Sequence, residues 1–375
     1  MTPLAPAAGR RRPVRVRFSR ASAAAVAAVS ALVLATACTA TAPAPAPEAP
    51  AGSQAAAAGT FTNPVLGQGA DPFVTVVDGR YWSIQSSGTG VTLRSADSLA
   101  SLGDAEPETI FSGGDEDSPC CEWWAPEVHE IDGRWYVYVA ADDGDNENHR
   151  TYVLEADAIE GPYSFAGPLQ LPGDRWAIDA TVFTAGDTRY VSWSGWPGKN
   201  NGQQNLYLAE LATPTTVRGK AVVISEPRLD WETQAGTVGV LVNEGPAALV
   251  RQGKVFLTYS GSGCWTPDYA IGLLSADGDA DLLDPDSWTK DPEPLFAASE
   301  EEEQYGTGHH SFFTSPDGTE TWFAYHSVTS SEGSCGEDRE VSVQPLEEGP
   351  GGRPEFGVPS GRTAEIPLPA GDPGV

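Results

Sequence analysis

A tight turn followed by an aromatic-rich strand recurs five times along the chain: "DGRYWSI" from Asp78, "DGRWYVYVA" from Asp132, "GDTRYVSWS" from Gly186, "QGKVFLTYS" from Gln252 and "DGTETWFAYHS" from Asp317. Each reads as a hairpin turn feeding a strand of alternating or wholly apolar residues. The turns are 54, 54, 66 and 65 residues apart, a period that suits a four-stranded unit with one or two long loops. No long run has helical periodicity, and the chain holds 41 glycines and 31 prolines. The pattern predicts an all-β fold, a five-bladed β-propeller. Two β-sandwiches would leave the recurrence of one hairpin unexplained.

A short distance before each turn a single polar residue heads an apolar strand. These are Asp71 in "GADPFV", Glu127 in "WWAPEV", Asp179 in "WAIDATVF", Glu244 in "VNEGPAAL" and His309 in "GTGHHSFF". Taken singly, each is an ordinary turn former or strand end. In a propeller, however, the first strand of every blade lines the central channel, so matched positions converge. Carboxylates gathered in a partly dry pocket raise one another's pKa, which keeps one protonated near neutrality. Cleavage of a glycosidic bond needs that pairing: one carboxyl protonates the leaving oxygen while another, ionised, activates water or attacks carbon.

The ends of the chain read differently. Residues 1–37 carry six arginines, no acid and the apolar run "ASAAAVAAVSALVLATA", the pattern of a secretory leader. Cleavage before Cys38 would leave that thiol to take a lipid, and cleavage after "ATA" would give plain secretion. Residues 38–60 are Ala/Pro/Thr-rich with almost no large apolar side chain and are expected to form an extended tether. The folded domain is expected over residues 61–375. Loss of the six leader arginines takes the net charge from −30 to −36, a surface that repels nucleic acid and allows membrane contact only through a lipid at Cys38. In an exported chain the other four cysteines, 120, 121, 264 and 335, are expected to pair, with three connectivities open.

The stretches "NPVLGQGADPFV", "WAPEVHEIDGRWYVYVAADDGDNENHRTYVLEA", "WAIDATVF", "VNEGPAALV", "GSGCWTPDYAIGLLSADGDADLLDPDSW" and "GHHSFFTSPDGTETWFAYHS" resemble glycoside hydrolase family 43, and within it the extracellular exo-α-1,5-L-arabinofuranosidases. The resemblance runs in order over roughly residues 61–346. It implies an inverting mechanism with Asp71 as general base, Asp179 as the residue that tunes and holds the acid, and Glu244 as general acid. It implies arabinan, arabino-oligosaccharide or arabinoxylan as substrate and no cofactor for the chemistry. It also implies a channel histidine, His309, beside which calcium can be held through water. Endo-arabinanases, β-xylosidases and a non-catalytic sugar-binding propeller are the alternatives that share these motifs.

Aromatic faces suit sugar C–H groups, and Trp124 and Trp196 are the expected walls of the site, with His309 and Arg339 as further binding residues. Glu127 is expected to support its strand. Relatives carry a pattern like Arg-x-x-Arg-x-Gln in the last blade; here Arg339 and Gln344 remain and Ser342 replaces the second arginine. Relatives often have Ser where Cys264 stands, so the "GCW" loop is expected to be cross-linked, to Cys335 or to one of the Cys120–Cys121 pair.

Overall fold

The computed structural model describes residues 59–375; the leader, Cys38 and nearly all of the tether lie outside the described residues. The described chain is built of strands, and its helical turns are short 3₁₀ segments, the longest Leu99–Asp104.

Five antiparallel meanders follow one another. Sheet one runs Phe73–Val77, Arg80–Ser86, Gly90–Ala96 and Glu108–Ser112; sheet two Cys121–Ile131, Arg134–Asp142, Arg150–Ala156 and Ser164–Pro168. Sheet three runs Ala177–Ala185, Thr188–Gly195, Gln203–Thr213 and Thr216–Ser225; sheet four Leu241–Arg251, Lys254–Gly261, Ala270–Asp277 and Thr289–Lys290. Sheet five has three strands, Tyr305–Thr314, Thr321–Val328 and Glu340–Pro345.

The repeated turns of the sequence join the first and second strands of each sheet. Their central pairs Asp78-Gly79, Asp132-Gly133 and Gln252-Gly253 all have positive φ, between 50° and 79°, the backbone of the turn that matches strand twist in a two-residue hairpin. The recurrence is therefore a repeated demand for left-handed turn residues.

Alternate side chains of each sheet face the next one. Trp82 and Ile84 of sheet one pack with Val137 and Leu154 of sheet two, and Tyr138 and Val153 of sheet two with Val191 and Ala209 of sheet three. Leu206 and Leu208 of sheet three pack with Val255 and Leu257 of sheet four. Ile271 and Phe296 of sheet four pack with Phe323 and Tyr325 of sheet five, and Phe313 and Trp322 of sheet five with Val74 and Tyr81 of sheet one. Each fully buried aliphatic or aromatic side chain contributes about 1.5–3 kcal/mol of burial, so stability is spread over five cores.

The sheets are less uniform than the repeat predicts. Sheets three and four are fused by a short parallel pairing, Gln203 with Leu241 and Gln204 with Val242. Sheet five takes its outer edge from the start of the described chain. Leu66 bridges Val341, the Val341 N–H donates to the Leu66 carbonyl at 2.9 Å, and Asn63 bonds both the N–H and the carbonyl of Val343. Just beyond, Thr60–Phe61 pairs with Ile366–Pro367. The Gly69 N–H then donates to the Arg339 carbonyl at 2.9 Å. A Cβ on Gly69 would lie 2.4 Å from Gln85 Nε2 and 2.8 Å from Val341 Cγ2, so glycine is what lets the chain pass between sheets five and one.

Candidate active site

The first strands of sheets two to five each carry a bulge where they enter the centre of the molecule. Register breaks between Trp124 and Glu127, Ile178 and Thr181, Glu244 and Ala247, and Gly308 and Ser311. One left-handed residue sits in each: Ala125 (φ 44°), Asp179 (56°), Gly245 (54°) and His309 (41°). Asp71 (φ 47°) holds the equivalent place just before the first strand of sheet one. A bulge re-aims its side chain, and a non-glycine residue held there costs about 1–3 kcal/mol, which marks a site when it recurs.

Three of the five matched polar residues, Asp71, Asp179 and His309, occupy equivalent positions. The other two do not. In sheet four the left-handed place belongs to Gly245, with Glu244 one residue earlier, and in sheet two it belongs to Ala125, with Glu127 two residues later. Glu127 is buried and bonds His129 Nε2 at 2.8 Å, in keeping with a supporting part.

Asp71 Oδ1 lies 2.9 Å from Arg339 Nη1, 3.2 Å from His309 Nδ1 and 3.3 Å from His326 Nδ1. Burial pushes the Asp71 carboxyl up, but the Arg339 guanidinium and then the two imidazoles outweigh it and hold the group well below the usual carboxylate range. Glu244 behaves oppositely. Burial pushes it up to about 7, against a hydrogen bond from the Tyr269 hydroxyl to Oε1 at 2.9 Å that pulls it down; the Asp71 charge adds to the rise. Asp179 is pushed well above the ordinary range by burial and by Glu244, although its Oδ2 accepts the Gly245 N–H at 3.0 Å. One cavity thus holds a carboxylate forced to ionise and a carboxyl kept protonated.

Asp71, Asp179, Glu244, His309, Trp124 and Arg339 all line a central cavity of about 420 Å³. Trp124 lines it and stacks on buried His149 with centroids 3.9 Å apart, and His149 is held by Asp142 at 3.0 Å and by the Glu122 carbonyl at 2.9 Å. Trp196 is not a wall. It is 2% exposed and stacked 4.8 Å behind Trp176, and Trp176 is the ring that faces the cavity, together with Trp265. Arg339 is engaged with Asp71 and, through Nε, with the Gly336 carbonyl at 3.2 Å. Ser342 is buried opposite Tyr325 and lines no part of the cavity.

Two disulfides are present, Cys120–Cys121 and Cys264–Cys335. The second resolves the open pairing of the "GCW" loop, and both of its cysteines line the cavity. Sequence reasoning missed His326, Tyr269, Trp176 and Trp265. His326 had a signal, as the only imidazole inside the apolar strand "WFAYHSV"; Tyr269 had none.

Asp179, Glu244 and His309 bring two carboxylate oxygens and a ring nitrogen within 4.8 Å of one another. Calcium takes about 6–8 oxygen ligands, and these three side chains offer two carboxylate oxygens and one nitrogen, so any calcium near His309 would be held largely by water.

Residues 61–354 match the sequence profile of Glycosyl hydrolases family 43. The chain is 37% identical over 316 residues to an extracellular exo-α-(1→5)-L-arabinofuranosidase of Streptomyces avermitilis, covering 81% of this chain and 65% of that protein. It is 36% identical over 274 residues to the protein of that name from Streptomyces chartreusis, covering 71% and 82%. A solved α-L-arabinofuranosidase from Lactobacillus brevis superposes with a TM-score of 0.74 at 35% identity, over 81% of this chain and 98% of that one. The chain thus spans slightly less than two thirds of the Streptomyces avermitilis relative. With its profile match, its relatives and its paired carboxyls in agreement, this chain belongs to glycoside hydrolase family 43.

Proposed function

We propose that the protein is an exo-acting α-L-arabinofuranosidase that removes arabinose from the non-reducing ends of α-1,5-arabinan or arabino-oligosaccharides with inversion, on a five-bladed propeller. The observation that carries the reading is the pairing in one cavity of Asp71, held by Arg339 and two imidazoles, with the buried Glu244 beside Tyr269. Glu244, protonated near neutrality, donates its proton to the departing glycosidic oxygen. Asp71, ionised, takes a proton from the water that attacks the anomeric carbon from the other face. Asp179, which accepts the Gly245 N–H beside Glu244, holds the backbone that carries the acid in place. The propeller reading rests on the five cores, which link each sheet to the next and the fifth to the first.

Inversion requires the two carboxyls to stand about 6.5–9.5 Å apart, with room for the water between them. Trp124 and Trp176 offer faces for the sugar. No step needs a cofactor; a calcium held through water near His309 would act on the structure or the field alone. The family relatives named extracellular, together with the leader, support export, and Cys38 is the place for a lipid anchor.

The experiment is product analysis on linear α-1,5-arabinan and on 4-nitrophenyl α-L-arabinofuranoside and β-D-xyloside, with the anomer of the first product read by NMR. Arabinose alone in the inverted configuration is expected from arabinan, and its release from arabinan is expected to be lost in Asp71→Asn and Glu244→Gln. Mixed oligosaccharides indicate an endo enzyme, xylose release a β-xylosidase, and binding without release a sugar-binding propeller.

A further inference from the structure

The central cavity has a second lobe. A cleft of about 650 Å³ runs outward over sheet one, lined by Gln85, Ser87, Thr92 and Arg94, and shares Asp71, Glu122, Trp124, Cys335 and Arg339 with the central cavity. On the side of sheets four and five the cavity is walled instead. Cys264–Cys335 joins the loop after the second strand of sheet four to the loop before the last strand of sheet five. The two loops pack backbone to backbone: a Cβ on Gly333 would lie 2.2 Å from the Thr266 carbonyl carbon and 2.5 Å from Pro267 N.

A third loop is tied in. The Gly263 N–H donates to the Gln234 carbonyl at 3.2 Å, the Gln234 N–H to Ser262 Oγ at 3.1 Å, and the Trp265 indole N–H to the Ala235 carbonyl at 2.8 Å. This rim places Val238, Trp265 and the disulfide on the cavity wall. Val238 is 55% exposed, an apolar group offered to whatever enters.

We infer that the disulfide-clasped rim of loops 234–240, 262–267 and 330–337 makes the site one-ended, stopping a chain at its terminal sugar while the remainder lies in the lobe over sheet one. This one-ended site rests on the arabinofuranosidase reading and ties exo action to specific residues. A groove accepting internal positions needs two open ends. Here the lobe over sheet one is lined by polar groups, fit for the hydroxyls of following units, and the opposite side is braced by a covalent bond, three loop hydrogen bonds and a glycine contact. Specificity of this kind comes from the clash that excludes the wrong register as much as from contacts with the right one.

The test compares the full chain with a Cys264→Ser/Cys335→Ser variant and with Ser87→Trp, which places a bulky side chain in the open lobe. For each, kcat/KM on linear α-1,5-arabinan is divided by kcat/KM on 4-nitrophenyl α-L-arabinofuranoside, and early products from arabinan are sized. Opening the rim is expected to release arabino-oligosaccharides beside arabinose; filling the lobe is expected to lower the polymer-to-aryl ratio about tenfold. Arabinose as the sole early product of the folded cysteine variant, or an unchanged ratio in Ser87→Trp, overturns the inference. If the cysteine variant does not fold, the Ser87→Trp ratio decides alone. A wild-type protein that cleaves no arabinofuranoside overturns the underlying reading instead, so the two failures are told apart.

Discussion

Replacing Arg339 with methionine keeps the stem of the side chain and removes the charge that opposes burial at Asp71. The guanidinium nitrogen lies 2.9 Å from Asp71 Oδ1, and the Asp71 side chain is only 20% exposed. Opposite charges about 4 Å apart attract by about 4 kcal/mol at an effective dielectric of about 20, and neighbours of this kind lower a carboxyl by about 1–3 pH units. In the free enzyme the acidic limb of kcat/KM reports the base and the alkaline limb the acid. The wild-type profile should therefore stay flat down to well below the usual carboxylate range and fall on the alkaline side near pH 7, where Glu244 loses its proton.

In Arg339→Met the acidic limb moves up by about 1–3 pH units, because burial and its two histidine neighbours alone then set Asp71. The alkaline limb also moves up, by less, since Arg339 makes a smaller contribution to lowering Glu244. The assay is kcat/KM on 4-nitrophenyl α-L-arabinofuranoside from about pH 3 to about pH 9. A uniform loss at every pH, with no acidic limb entering the range and the alkaline limb in place, would show that Arg339 grips the sugar, and the account of Asp71 would be wrong.

Glu244→Gln should lower kcat on arabino-oligosaccharides about 10²–10⁴-fold and spare the nitrophenyl substrate, whose leaving group needs little protonation; equal losses on both would remove Glu244 as the acid. Because folding raises the Glu244 pKa, its contribution to stability is present below the unfolded value of about 4.5 and is lost as pH rises through about 7. Thermal melts at pH 8 should therefore find Glu244→Gln more stable than wild type, and a lower Tm for the variant would contradict the raised pKa. Trp196→Ala, emptying a stacked core site, should cost about 3–5 kcal/mol in denaturant unfolding with KM little changed, whereas Trp124→Ala should raise KM; the reverse pattern would make Trp196 the wall. Treatment with a chelator should leave kcat unchanged within error, and an immediate loss at unchanged fold would place a metal in the chemistry.

The strand content and the positions of Asp71, Asp179 and His309 were legible because one hairpin and one bulge repeat, and both leave local marks: turn residues with positive φ and a lone polar group before an apolar run. The places of Glu244 and Glu127 were harder to read, since a shift of one or two residues within a bulge alters geometry without altering composition. Trp196 was misplaced for a related reason. Two parallel stacked indoles look alike in sequence, and only packing decides which of Trp176 and Trp196 faces the cavity. The partners of Asp71 are on the other side of a seam joining the two ends of the described chain, more than 230 residues away in sequence, and no local pattern announces a contact of that kind.

That seam also sets an order in time. Asp71 is made early, yet each group that holds its charge, His309, His326 and Arg339, belongs to the last sheet, and its backbone is pinned by Gly69 to Arg339. A chain emerging from the ribosome can complete three of the five cores, those joining sheets one to four, and still have no working base. Activity should therefore appear abruptly once residues beyond Arg339 are free to dock, and a chain cut short before that strand should carry the acid, the cavity walls and most of the fold while hydrolysing nothing.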